Sequence, residues 1–188
     1  MKHVVIYDAC ILYSAPLRDL FMRLALADLY QAKWTHDIHE EWMRSLLKNR
    51  PDLTRLQLER IREKMDMHIR DCLVDGYAKL IKQLVLPDSN DRHVLAAAIK
   101  AGAQKIITFN LVDFPSKALA KYNVVAQHPD QFLRLWLDAA PLAVINVVKE
   151  TRLSLKNPPK TPAEYLDILL KQGLTKTVAY LQNHTDQI

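Results

Sequence analysis

Val4-Val5-Ile6-Tyr7-Asp8 is a short β-branched run that stops on a carboxylate. Such a run reads as a buried strand. Further along, Lys105-Ile106-Ile107-Thr108-Phe109 and Val124-Val125-Ala126 repeat the pattern, and Cys72-Leu73-Val74 reads as a shorter strand. Leu84-Val85-Leu86 reads as an extended stretch leading into Pro87. Helical patterns lie between these runs. One begins at Pro16 and sets Leu17, Leu20, Phe21, Leu24 and Leu29 on one side, until Lys33-Trp34-Thr35 breaks it. Thr35 or Asp37 caps the next, which runs to about Lys48. Thr54 and Gln57 form a capping box for a helix carrying Leu58, Ile61, Met65 and Ile69. Asp88 or Ser89 opens a helix that Gly102 ends, and Pro129 opens another to Asp138. Strands alternating with helices predict a mostly parallel sheet covered on both faces, a three-layer α/β/α fold.

After Pro141 the pattern is helical only: Leu142 to Leu155, then Thr161 to Lys171 with a second capping box at Thr161 and Glu164, then Thr175 to Asn183. The expected division is residues 1–140 for an α/β domain and 141–188 for a helical C-terminal extension.

The 188 residues suit one such domain with an appendage. No apolar run approaches the ~18 residues that span a bilayer, and Met1-Lys2-His3 reads straight into the first strand without a signal-peptide pattern. Cys10 and Cys72 alone make neither a disulfide framework nor a zinc site, which points to a cytoplasmic protein with reduced thiols. Three glycines leave no Gly-rich phosphate loop, which argues against a dinucleotide or P-loop site. The formal charge is +5. Between Trp42 and Arg70, eight cations (Arg44, Lys48, Arg50, Arg55, Arg60, Arg62, Lys64, Arg70) face four anions (Asp52, Glu59, Glu63, Asp66), a local +4. Such a stretch is either a phosphate-binding patch or a solvated face laced with ion pairs.

Carboxylates at unexpected places carry the chemistry. Asp8 ends the first strand, the edge where open α/β sheets bind ligands; the alternative is a turn or capping Asp. Glu41 shares a helix stripe with Ile38, Trp42, Ser45 and Leu46, where a charge is costly unless paired or bound to metal. Asp91 lies in the first turn of its helix, aligned with Leu95 and Ala98, and competes with plain dipole complementation. Asp88 is the more natural N-cap. Asn110 and Asp113 follow the Lys105 strand and emerge at the same edge as Asp8. Several ionised carboxylates in one pocket repel one another. A hard divalent cation, Mg²⁺ or Mn²⁺, resolves that conflict with oxygen ligands.

At these residues the chain resembles PIN domains, and more closely the VapC-type toxins of bacterial toxin–antitoxin pairs. The resemblance rests on Val5–Leu12, Ile38–Trp42, Leu86–Ala98 and Ile107–Pro115, within residues 1–140. It implies Mg²⁺- or Mn²⁺-dependent hydrolysis of RNA phosphodiesters, with Asp8, Glu41, Asp91 and Asp113 as the acidic quartet. It also implies a cognate antitoxin protein and often a homodimer, while the apolar runs, all too short to span a bilayer, point to no membrane partner. The family usually has Asn, Ser or Thr where this chain has Cys10, and many relatives have an acid where Asn110 stands. Cys10, Asn110 and Asp88 are therefore expected beside the ligands, and which of Asn110 and Asp113 lies nearer the metal is open. Arg18, Arg92, Arg44 and Arg50 are candidate RNA phosphate contacts. His93 reads as a helix-surface residue rather than a base.

Three other readings compete. A phosphatase with an Asp nucleophile needs a second Asp at position 10. A phosphoacceptor domain needs an acidic pair that Val4–Asp8 lacks. A catalytically inactive PIN-fold RNA- or protein-binding module would keep the fold without the chemistry.

Overall fold

The computed structural model describes residues 3–188; Met1 and Lys2, which the sequence reading runs into the first strand, lie outside them. The elements in order are β1 (Val4–Tyr7), α1 (Ala9–Tyr13), α2 (Ala15–Leu26), β2 (Gln31–Lys33), α3 (His36–Asn49), α4 (Arg55–His68), α5 (Ala78–Ile81), α6 (Arg92–Ala101), β3 (Lys105–Ile107), α7 (Ser116–Leu119), β4 (Val125–Gln127), α8 (Pro129–Ala139), α9 (Pro141–Ser154), α10 (Pro162–Lys171) and α11 (Thr175–Leu181). The chain forms two compact units, Met1–Tyr13 with Tyr30–His128, and Ser14–Leu29 with Pro129–Ile188. The first unit is a three-layer α/β/α fold around one sheet. The sequence-based division at 140/141 differs from this partition, which also assigns α2 to the helical unit.

The sheet order is β2-β1-β3-β4, and every pairing is parallel. Val5 pairs with Lys105 and Tyr7 with Ile107, so the ends of β1 and β3 are level. The connections run to opposite sides of this pair, which makes it the topological switch point where α/β sheets open a crevice. Val5, Ile6, Tyr7, Ile106 and Ile107 are fully buried, as the apolar runs require.

Three sequence expectations change here. Gln31-Ala32-Lys33, within the expected helix-to-break region, is a strand; its side chains carry no apolar run, and pairing to β1 supplies its order. Cys72-Leu73-Val74 is only one isolated bridge, with Trp34 N donating to Cys72 O and Val74 N to Trp34 O. Likewise α2 ends at Leu26, before Leu29.

Local chemistry sets the helix carrying Glu41. Thr35 caps α3, its Oγ1 accepting from Ile38 N at 3.1 Å. Trp42 Nε1 donates to His39 Nδ1 at 2.9 Å, so His39 carries its proton on Nε2 and donates it to Asp66 Oδ1 at 2.9 Å. Trp34 Nε1 donates to the same oxygen at 2.8 Å. Burial pushes the Asp66 carboxyl up, but the bonds from His39 and Trp34 outweigh it and leave it lowered. This network ties α3 to α4 and to the end of β2.

In the helical unit, Phe21 of α2 stacks on Phe132 of α8 at 6.3 Å between centroids. Thr161 and Glu164 form the expected capping box of α10. The first turn of α11 is capped from a distance: buried Asp130 accepts from Lys176 N and Thr177 N, both at 2.8 Å, and from Thr175 Oγ1 at 3.2 Å. No helix among the described residues is long and apolar enough to cross a membrane.

Asp130→Ala leaves these donors unpaired and costs about 2 kcal/mol of unfolding free energy. Asp130→Asn retains one acceptor oxygen and costs less. Urea denaturation of the three proteins checks the order; equal stability of wild type and Asp130→Ala would refute the cap.

Candidate metal centre

Asp8 directly follows β1, and Thr108 directly follows β3. Their level register brings the side chains together: Thr108 Oγ1 donates to Asp8 Oδ2 at 2.6 Å. Ala9 N donates to Oδ1 at 2.7 Å, and the Cys10 thiol donates to Oδ2 at 3.3 Å. Three of roughly four lone-pair directions of the carboxylate are thus used. Burial raises the Asp8 pKa, the Thr108 and Cys10 bonds oppose this, and the Glu41 charge adds to the rise. Burial, then the Asp8 charge, pushes the Cys10 thiol up, so it stays protonated and acts as a donor. Phe109 N in turn donates to Cys10 Sγ at 3.4 Å.

Asp88 and Asp91 frame a single 3₁₀ turn, Ser89–Asp91, ahead of α6. Asp88 caps it, Oδ1 accepting from Asn90 N at 2.8 Å. Asp91 occupies the N-cap position of α6, yet its side chain makes no capping bond. Its oxygens are left for something else. Asp113 arrives from the loop after β3, where Asn110 Nδ2 donates to its Oδ2. One carboxylate oxygen from each of Asp88, Asp91 and Asp113 lies within 4.8 Å of the other two.

Burial, then the charges of Asp8, Asp113, Asp88 and Glu41, raises the Asp91 carboxyl to about 6. Asp91 therefore feels the other three members of the expected quartet, but by oxygen spacing only Asp91 and Asp113 of that quartet join Asp88 in the tight group, and Asp8 and Glu41 are not in it. No Lys or Arg forms an ion pair with Asp8, Asp88, Asp91 or Asp113 among the described residues. Glu41 stands apart from the other carboxylates in one respect: its Oε2 lies 3.4 Å from His93 Nε2. His93 is thus not the surface residue expected from sequence; its side chain is only 15% exposed, turned toward Glu41. Only Asp8 is buried, whereas Glu41, Asp88, Asp91 and Asp113 are half-buried, so the crevice is open.

The donor set suits a hard divalent cation. It is all-oxygen, its Asp88, Asp91 and Asp113 form no ion pair with Lys or Arg among the described residues, and it packs their oxygens at the spacing of a coordination sphere. Sequence reasoning gave Thr108 no role. A hydroxyl-bearing residue ending the strand beside the Asp8 strand was the available signal.

The candidate phosphate contacts divide. Arg92 starts α6 beside Asp91, and its Nε is buried without a hydrogen-bond partner. Arg44 is exposed. Arg50 is forked onto Asp52, at 2.8 and 2.6 Å. Arg18 is half-buried in the helical unit, and desolvation lowers its pKa. Arg55 bridges Glu40 and Glu59, and Arg62 pairs with Glu63. Three of the eight cations of the basic stretch, Arg50, Arg55 and Arg62, are therefore ion-paired.

The PIN_3 family model, described as PIN domain, matches residues 4–111, more than half of the chain. The chain belongs to the PIN-domain family. A second model, the VapC50 C-terminal domain, matches residues 129–183. A Mycobacterium tuberculosis protein described as "Putative ribonuclease VapC50" is 44% identical over 82 residues, which are 44% of this chain and 48% of that relative. The chain thus spans about half the length of the curated relative it matches. No solved structure matches. Within the PIN segment fall Asp8, Glu41, Asp88, Asp91 and Asn110; Asp113 lies two residues beyond its end.

A carboxyl with a raised folded-state pKa binds its proton more tightly folded than unfolded. For Asp91 the folded state gains stability as pH falls from about 6 toward 3.8, and above about 6 the site opposes folding. In chelator at pH 7.5, Asp91→Asn should raise the thermal midpoint by about 3 °C. That gain should shrink toward pH 5. A lower midpoint at pH 7.5 would show that Asp91 is not held against repulsion.

Proposed function

We propose that this chain is a divalent-metal-dependent endoribonuclease that hydrolyses RNA phosphodiester bonds, and the toxin of a type II toxin–antitoxin pair. The observation that carries the reading is the carboxylate group at the switch point, with one oxygen each of Asp88, Asp91 and Asp113 within 4.8 Å of one another and Asp91 raised to about 6 by burial and then by its neighbours' charges. The PIN family match and the ribonuclease name of the relative support the same activity.

Asp8, Asp91 and Asp113, with Asp88 beside them, would hold Mg²⁺ or Mn²⁺, and Glu41 would complete the quartet. When bound, such an ion lowers the pKa of water and stabilises charge on a phosphodiester in transfer. The chain's own residues do the positioning. Thr108, Ala9 N and Cys10 fix the Asp8 carboxylate in one orientation. His93 sits against Glu41 and limits its swing. Asn110 orients Asp113. Arg92 offers a guanidinium at the rim for a phosphate, and Arg44 offers an exposed one. Arg50 and Arg18 are weaker candidates, because Asp52 engages the first and burial the second. Exposed ion pairs such as Arg55–Glu40 are worth little, so RNA phosphates can compete for them. The cognate antitoxin and a homodimer remain part of this proposal, carried by the family resemblance. The catalysis is assigned to the sheet-bearing unit, and the helical extension receives no catalytic part.

The test is cleavage of a total-RNA pool by purified protein with Mg²⁺, with Mn²⁺ and with chelator. Wild type should cleave only with metal. Asp8→Asn and Asp91→Asn should each lose at least ~100-fold. RNA binding without cleavage under every condition would favour the inactive binding module instead.

A further inference from the structure

The helical unit contains a cavity of about 460 Å³ that plays no part in the chemistry above. Its volume falls in the range of small-molecule sites. Ala15, Pro16, Leu155, Pro158 and Ile168 give it a mainly apolar lining. Tyr165 lies against it with 1% exposure, and its hydroxyl has no hydrogen-bond partner. The neighbouring Thr151 has spent its own proton on Val147 O, at 2.6 Å. Burial, then the Asp19 charge, pushes the Tyr165 phenol up against a weaker pull from the nearby Thr151 hydroxyl, which does not meet it in hydrogen-bond geometry, so the phenol keeps its proton to donate.

An unpartnered buried hydroxyl costs stability, so a folded protein rarely keeps one without use. The other polar groups of the lining sharpen what it awaits. Lys156 is exposed with no ion pair among the described residues, and Lys160 touches Glu164 only at 3.8 Å. Asp19, the one carboxylate in the lining, is engaged by Arg23 at 3.2 Å. The available groups are therefore donors and cations around an apolar chamber.

We propose that this cavity is a binding site for a small organic anion with an aromatic or aliphatic body, whose oxygens take the Tyr165 hydroxyl and the Lys156 and Lys160 ammonium groups. The site is independent of the nuclease reading, since none of its residues belongs to the carboxylate cluster.

The probe is 8-anilinonaphthalene-1-sulfonate, an apolar aromatic body with an anionic head, titrated by fluorescence into the full chain. Wild type should bind one equivalent saturably. Lys156→Glu and Tyr165→Phe should each weaken binding at least fivefold, while Asp91→Asn binds as wild type does. Without probe, Tyr165→Phe should melt at or above the wild-type temperature, because it removes an orphaned hydroxyl. Binding unchanged in either cavity variant, absence of saturable binding, or a Tyr165→Phe protein that melts several degrees lower would overturn the proposal.

Discussion

The ends of two neighbouring parallel strands are joined by one short hydrogen bond, Thr108 Oγ1 to Asp8 Oδ2 at 2.6 Å. A hundred residues separate the partners in sequence. Register alone brings them level, since Tyr7 pairs with Ile107 one residue earlier in each strand. The bond fixes Asp8 where the sheet opens, and the rest of the site is arranged about that carboxylate. The loop after β3 continues from Thr108, whose Oγ1 also accepts from Asn110 N at 3.0 Å, and so delivers Asp113. The turn before α6 delivers Asp88 and Asp91 from the other direction.

That arrangement works against folding. Two like charges about 5 Å apart repel by roughly 3 kcal/mol at an effective dielectric of 20. Among the described residues, no arginine or lysine forms an ion pair with Asp8, Asp88, Asp91 or Asp113, although the chain carries 26 such residues. Stability is supplied elsewhere: by the fully buried faces of β1 and β3, by the His39–Asp66–Trp34 network under α3, and by the Asp130 cap in the helical unit. A site kept repulsive at the expense of the scaffold is what a cation-binding crevice requires. Tyr165 shows the same pattern in miniature within the helical unit.

What could be read from sequence follows how local the signal is. Val4–Tyr7 and Lys105–Ile107 are legible because a strand buried on both faces needs a continuous apolar run. Asp8 and Asp113 are legible as carboxylates emerging beyond such strands, and Asp91 from its alignment with Leu95 and Ala98, although it caps α6 rather than lying in its first turn. Gln31–Lys33 is invisible by the same criterion, because pairing with β1 rather than side-chain character makes it a strand. Cys72–Val74 errs the opposite way: strand-like residues that find one bridge only. Thr108 has no local signal of its role, since its partner is remote in sequence. His93 reads as a surface residue because its contact, Glu41, lies on another helix. Which cations of the basic stretch are ion-paired is not legible, because pairing such as Arg50–Asp52 and Arg55–Glu40 depends on rotamers and helix packing. The assignment of α2 to the helical unit rests on long-range contacts with α9 and α10 that no local pattern carries.

The central claim is that the carboxylate cluster exists to hold a divalent cation, and that Asp91 gives up a proton to do so. Calorimetric titration of Mn²⁺ at pH 6, in two buffers of different ionisation heat, measures affinity and proton release together. The expected result is binding at one site or a coupled pair, with release of roughly half a proton, and loss of both signals in Asp8→Asn. Absence of binding, or binding without proton release that survives Asp8→Asn unchanged, would contradict it.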